Sequence, residues 1–163
     1  MTLDSLAGQT VIPDQLIVVN DNSSDNTKMI IETFAQKHSW IRLINKQSTD
    51  KHLPGAKIID AFKTGYEELD EHFDVICKFD ADMVFESNYL EKLAQHFNTN
   101  LKLGMASGFC YIKKNNVWVL ENLTQKDHIR GALKAYRKEC FLQIGKLKSS
   151  IGWDTIDELL AQY

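Results

Sequence analysis

The chain holds few of the residues that cross-link or stiffen a small fold: 3 cysteines and 2 prolines in 163 residues. Cys77, Cys110 and Cys140 are widely separated and odd in number, so they fit neither a disulfide framework nor a zinc site. They are expected as reduced core thiols of a cytoplasmic protein. An excess of positive charge is missing too, with 19 Lys and Arg against 22 Asp and Glu, a formal charge of -3. Without a basic field no nucleic-acid partner is expected. No apolar stretch approaches membrane-spanning length, and Met1-Thr2-Leu3-Asp4 lacks a signal peptide's basic and apolar regions. His38, His52, His72, His96 and His128 show no ligand spacing and are expected at the surface or in the core. What remains, 44% hydrophobic and 25% charged, is an ordinary globular composition, and the length suits one domain over residues 1–163 with its own core.

The stretch with most to say is Phe73-Asp74-Val75-Ile76-Cys77-Lys78-Phe79-Asp80-Ala81-Asp82. Its apolar run has strand length and no helical spacing, which predicts a buried strand of a parallel sheet. In open α/β sheets the ligand crevice lies beyond the carboxyl ends of the strands, so Asp80 and Asp82 are expected at its mouth. Two oxygen donors there suit Mg²⁺ or Mn²⁺, and through it a phosphorylated ligand. An isolated Asp-x-Asp more often marks a solvated turn; the strand before this one is what raises it.

Helical spacing of Leu3, Leu6 and Ala7 ends at Gly8. Residues 15–21 form a predicted strand, and Asn22-Ser23-Ser24-Asp25-Asn26 is turn chemistry with Ser24 or Asp25 placed to cap the next helix. That helix carries Ile30, Ile31, Phe34 and His38; a strand over 40–44 and a polar loop over 45–54 follow. A further helix from Gly55 presents Ile58, Ile59, Phe62 and Tyr66, and one after Ser87 presents Leu90, Leu93, Ala94 and Phe97. Residues 103–112 read as a strand with Gly104 and Gly108 allowing bends. Asn115-Asn116 turns the chain into a strand over 117–120. Residues 131–136 suit a strand or a loose helix, 138–144 a short helix, and 153–163 a helix. Alternating strands and helices in the first half predict an α/β fold.

Two more acids stand at element ends. Asp21 closes its strand as Asp80 closes its own, and could accept a hydrogen bond from a pyrimidine imide; alone it reads first as a turn residue or cap. Asp154 follows Trp153 at a helix start, with Asp157 and Glu158 behind. Acids there are stabilised by the helix dipole whatever their function, yet one beside a substrate could act as a general base.

The order of these segments resembles the family 2 glycosyltransferases, inverting enzymes of the GT-A fold that use nucleotide-sugar donors. The resemblance rests on Ser5-Leu6, Gln9-Thr10, Pro13 and the run from Leu16 to Thr27; on Val75 to Asp82; on Arg130-Gly131-Ala132 with Tyr136-Arg137-Lys138-Glu139-Cys140-Phe141 and Ile144-Gly145; and on Gly152-Trp153-Asp154-Thr155-Ile156-Asp157. It implies a Rossmann-like, mostly parallel central sheet flanked by helices. It also implies that Asp21 binds a uracil-type base, Asp80 the ribose or metal-bound diphosphate, Asp82 the Mg²⁺ or Mn²⁺ ion, and that Asp154 is the base. Lys57, after Pro54-Gly55-Ala56, falls where a basic residue approaches the donor. The implied partners are a nucleotide-sugar, foremost a UDP-sugar, and a saccharide or lipid-linked acceptor, as in polysaccharide biosynthesis. The implied setting is cytoplasmic, with the membrane periphery as a meeting place.

Two departures accompany the resemblance. The family's first strand and its C-terminal region are not found, and its Glu-Asp motif reads Trp153-Asp154. The expectation is therefore an N-terminally truncated, partial domain: a fragment, a shortened reading frame, or a sheet closed by direct pairing of the Leu16 and Val75 strands. An unfilled sheet edge would invite a homodimer. The rival readings are a truncated, non-catalytic nucleotide-sugar-binding domain and a sugar-phosphate nucleotidyltransferase; the latter needs a Gly-rich N-terminal phosphate loop that the sequence does not show.

Overall fold

The computed structural model describes residues 1–48, 55–121 and 128–162. In chain order the elements are α1 (Thr2–Ala7), β1 (Leu16–Asp21), α2 (Thr27–Lys37), β2 (Ile41–Lys46), α3 (Ala56–Tyr66), β3 (Val75–Phe79), α4 (Tyr89–Thr99), β4 (Met105–Ala106), β5 (Tyr111–Lys114), β6 (Val117–Leu120), β7 (Leu133–Arg137), α5 (Lys138–Gln143) and α6 (Trp153–Ala161). The architecture is α/β, and its parallel pairing lies between β1 and β2, in register from Leu16 opposite Ile41 to Asp21 opposite Lys46.

β3 behaves differently from the parallel strand expected of it. It pairs antiparallel with β7, whose other edge takes β4, also antiparallel. Among the described residues no strand pairing joins β1 to β3, so the direct pairing of the Leu16 and Val75 strands is not what closes the fold. Side-chain burial does that work instead. α3 packs along β1 while its Ile59, fully buried, enters a core with Ile76, Tyr136, Phe141 and Trp153.

Strand alternation gives the β3–β7–β4 sheet two faces. Val75, Cys77, Phe79 and Ala135 pack against Leu93 and Phe97 of α4. Ile76 and Tyr136, opposite one another in the register, face α3, α5 and α6, as do Lys78 and Lys134. Cover on both faces explains why residues 133–136 are all buried and why that segment is a strand.

Other expectations shift in detail. The strand expected over 103–112 breaks: β4 keeps only two residues, and the chain leaves the sheet before β5, which forms an antiparallel ribbon with β6 alone. β2 runs on to Lys46, and residues 49–54 of the expected polar loop lie outside the described residues. Asn26 is the N-cap of α2, while Asp25 accepts a hydrogen bond from the Thr27 N–H at 3.0 Å.

α1 is fastened to the segment that follows β3. Thr2 Oγ1 donates to the Ala81 carbonyl at 2.6 Å, Gln9 Nε2 to the Glu86 carbonyl at 2.6 Å, and Ser5 Oγ accepts from the Phe85 N–H at 3.2 Å. Leu6 closes the contact in a cluster with Phe85, Cys110 and Leu133.

Candidate active site

The end of β3 is held by a buried cation. Lys78, only 5% exposed, donates to the Asp80 carboxylate and, at 2.8 Å, to the Gly131 carbonyl. The Asp80 N–H continues the sheet contact, donating to the Ala132 carbonyl at 2.9 Å. Asp80 keeps 39% of its side chain exposed, and Asp82, on the turn beyond, is exposed. Burial pushes the Cys110 thiol up; the Arg130 guanidinium opposes this, and the Glu121, Asp80 and Asp82 carboxylates add to it. Arg130 and Glu121 are themselves paired at 2.9 Å.

Asp154 reaches the same place from α6. A Cβ added to Gly131 would lie 3.2 Å from the Asp154 Cβ and 3.1 Å from the Trp153 ring, so a side chain there would crowd α6. The residue whose carbonyl holds Lys78, and through it Asp80, is thus the residue against which Asp154 packs.

Asp21, the last residue of β1, takes its partner from the segment after β2. Its carboxylate accepts from the Ser48 N–H at 3.0 Å and from Ser48 Oγ at 2.7 Å. The Ser48 hydroxyl is the main cause holding its carboxyl below the usual range; burial opposes, and the Ser48 N–H, Lys46 and Lys57 add to the lowering. Lys57 belongs to the first turn of α3, after Gly55 in the left-handed region at φ 76°. Gly55 lies beside α6, where an added Cβ would stand 3.5 Å from the Trp153 indole. The Gly131 contact brings Asp80 and Asp154 together, while α3, which carries Lys57, packs on β1 and approaches α6 at Gly55.

Several partners carry no signal as single residues: Ser48, Lys78, Lys134 and Asp157. The available hint is a lysine inside each apolar strand, in Val75-Ile76-Cys77-Lys78-Phe79 and Leu133-Lys134-Ala135-Tyr136. A charge there has to be paired. Of the histidines, His38 stacks on Phe34 and His128 Nδ1 lies 3.0 Å from a Glu158 oxygen, while His52 lies outside the described residues.

The donor set suits a hard cation. Asp80 and Asp82 offer oxygen ligands, and no group of three or more His, Cys, Asp or Glu among the described residues is placed to hold a metal. Mg²⁺-type ions are often bound by one or two carboxylates and complete their shell with substrate phosphates and water. The residues present fit that mode.

The family model for glycosyl transferase family 2 matches residues 1–148. The chain belongs to that family. Asp154 lies just beyond the matched stretch. An uncharacterized glycosyltransferase of Mycoplasma pneumoniae is 26% identical, covering 91% of this chain and 52% of its own length. A probable glycosyltransferase of Bacillus subtilis, YdaM, is 35% identical over 51% of this chain and 17% of its own. Among solved structures, the mannosyltransferase PcManGT of Pyrobaculum calidifontis, in complex with GDP-Man and Mn²⁺, superposes with a TM-score of 0.61 at 17% identity. That likeness covers 95% of this chain and 45% of the mannosyltransferase, and shows the GT-A fold. The family 2 chain described here spans about half the length of its mycoplasma relative.

Proposed function

We propose that this family 2 chain binds a nucleotide-sugar, with UDP-sugars the first choice, and transfers the sugar to an acceptor hydroxyl with inversion. The observation that carries the reading is the contact at Gly131, where the Asp80 end of β3 and the Asp154 end of α6 meet. Asp21, whose carboxyl Ser48 holds below the usual range, would accept the base N–H, and Lys57 would approach the donor from the start of α3. Asp80 would take the ribose or share the ion with Asp82. A divalent Mg²⁺ or Mn²⁺ bound there would offset the charge growing on the departing nucleoside diphosphate. Asp154 would remove the acceptor proton as the hydroxyl attacks from the face opposite the leaving group. A single displacement by one base inverts the anomeric centre, whereas a glycosidase needs a second, protonated carboxyl.

Calorimetric titration with UDP and with GDP, each with and without Mn²⁺, beside a donor-hydrolysis assay, tests the reading. Mn²⁺-dependent binding of one nucleotide together with turnover of its sugar conjugate is expected. Binding without turnover would favour a non-catalytic nucleotide-sugar-binding domain. No binding of either nucleotide rejects both.

A further inference from the structure

Lys78 and Lys134 stand directly opposite one another in the β3–β7 register, one 5% and the other 0% exposed. Like charges in that position repel, and a buried charge is tolerated only when paired. The structure pairs both. Lys78 takes Asp80, and Lys134 takes both Asp157 oxygens at 2.8 and 2.9 Å and a Glu158 oxygen at 3.2 Å. Tyr136, whose phenol burial and Asp157 push well up, donates to the same Asp157. The Trp153 ring lies 5.0 Å from the Lys78 ammonium and 5.6 Å from that of Lys134, within cation–π range of each. Lys134 makes one more bond, at 2.5 Å, to the backbone carbonyl of Asp154.

We propose that the paired lysines form a positioning clamp: Lys78 fixes Asp80, Lys134 fixes the backbone of Asp154, and the Trp153 indole bridges the two. The clamp rests on the reading of Asp154 as the base, and it deepens that reading by naming what sets the base's distance from the cation end. Lys134, Asp157 and Trp153 are buried, so they act through Asp154. The fastening is to the main chain of Asp154, so its carboxylate stays free for an acceptor proton.

The test removes the fastening while Glu158 keeps His128 Nδ1 at 3.0 Å and the Ile129 N–H at 2.9 Å as partners. Lys134→Met combined with Asp157→Leu, made together with Tyr136→Phe so that no phenol loses its Asp157 acceptor, replaces a buried ion pair by apolar side chains, an exchange that cores accept more readily than loss of one partner. A circular-dichroism spectrum and melting curve close to wild type are expected of the triple variant. Hydrogen exchange at the Thr155 and Ile156 amides, both bonded to the Gly152 carbonyl, is expected to quicken at least tenfold while the β3–β7 amides stay protected. Hydrolysis of UDP-glucose, UDP-N-acetylglucosamine or GDP-mannose, whichever the wild type turns over with Mn²⁺, is expected to lose at least tenfold in kcat with KM within twofold. A triple variant with unchanged exchange, or with wild-type kcat, overturns the clamp. A fold lost outright overturns it as well, since the network would then serve stability alone. A wild-type chain that turns over none of these donors counts instead against the proposed function, and the clamp's catalytic meaning falls with it.

Discussion

Asp82 and Asp154 are separable by experiment because the proposed function assigns them different steps. Asp82→Asn is expected to abolish the Mn²⁺-dependent part of nucleotide affinity, measured by calorimetry. Unchanged Mn²⁺ dependence would remove Asp82 as the ion's ligand. Asp154→Asn is expected to leave nucleotide affinity within about twofold and to slow donor turnover by about 10²-fold or more, the scale of a lost general base. Asp21 brings a pH dependence whose sign follows from its lowered carboxyl pKa. Its bonds to Ser48 stabilise the fold above the ordinary carboxylate pKa, and that contribution is lost as pH falls through the lower, folded value. Ser48→Ala is expected to move the Asp21 carboxyl back up, read by NMR titration, and to flatten the acid side of the melting-temperature profile. The positions of the four acids were legible in the sequence, because Asp21 ends β1, Asp80 and Asp82 directly follow β3 and Asp154 lies in the first turn of α6, where hydrophobic patterning locates them. Ser48 and the two lysines were not, because their partners come from other elements, and Lys78 and Lys134 are buried against the habit of their residue type.

Between elements, the narrow passage is the contact of α6 with the chain just before β7. Gly131→Ala puts a methyl group 3.1 Å from Trp153 and 3.2 Å from the Asp154 Cβ, tighter than ordinary packing. Slower donor turnover with unimpaired nucleotide binding is expected, and wild-type turnover would show that α6 can retreat without consequence. Phe141 of α5, fully buried against Phe62, Tyr66 and Tyr136, holds the same face of the sheet together. Phe141→Ala is expected to cost about 3–5 kcal/mol in urea unfolding, the usual range for a fully buried phenylalanine. The helices were legible at this level from their apolar spacing, since amphipathicity over eleven residues in α2, α3 and α4 is a strong signal. The break between β4 and β5 was foreshadowed only by Gly104 and Gly108. The antiparallel pairing of β3 was not legible, because an apolar strand carries no mark of its neighbour's direction.

Across the whole molecule, apolar surface is unevenly covered. The β5–β6 ribbon exposes Tyr111, Trp118 and Leu120 on one face, with 56%, 64% and 40% of their surfaces in solvent, and no other strand pairs with it among the described residues. A contiguous apolar face of that kind promotes association. Sedimentation velocity is expected to show concentration-dependent self-association that Trp118→Lys reduces, and a strictly monomeric chain across the range would disagree. No helix among the described residues is long and apolar enough to cross a membrane. The bonds between α1 and the segment running from Ala81 to Glu86 have a consequence for handling the protein. Proteolytic trimming of the first ten residues is expected to loosen the turn that carries Asp82 while leaving the Asp21–Ser48 bonds intact.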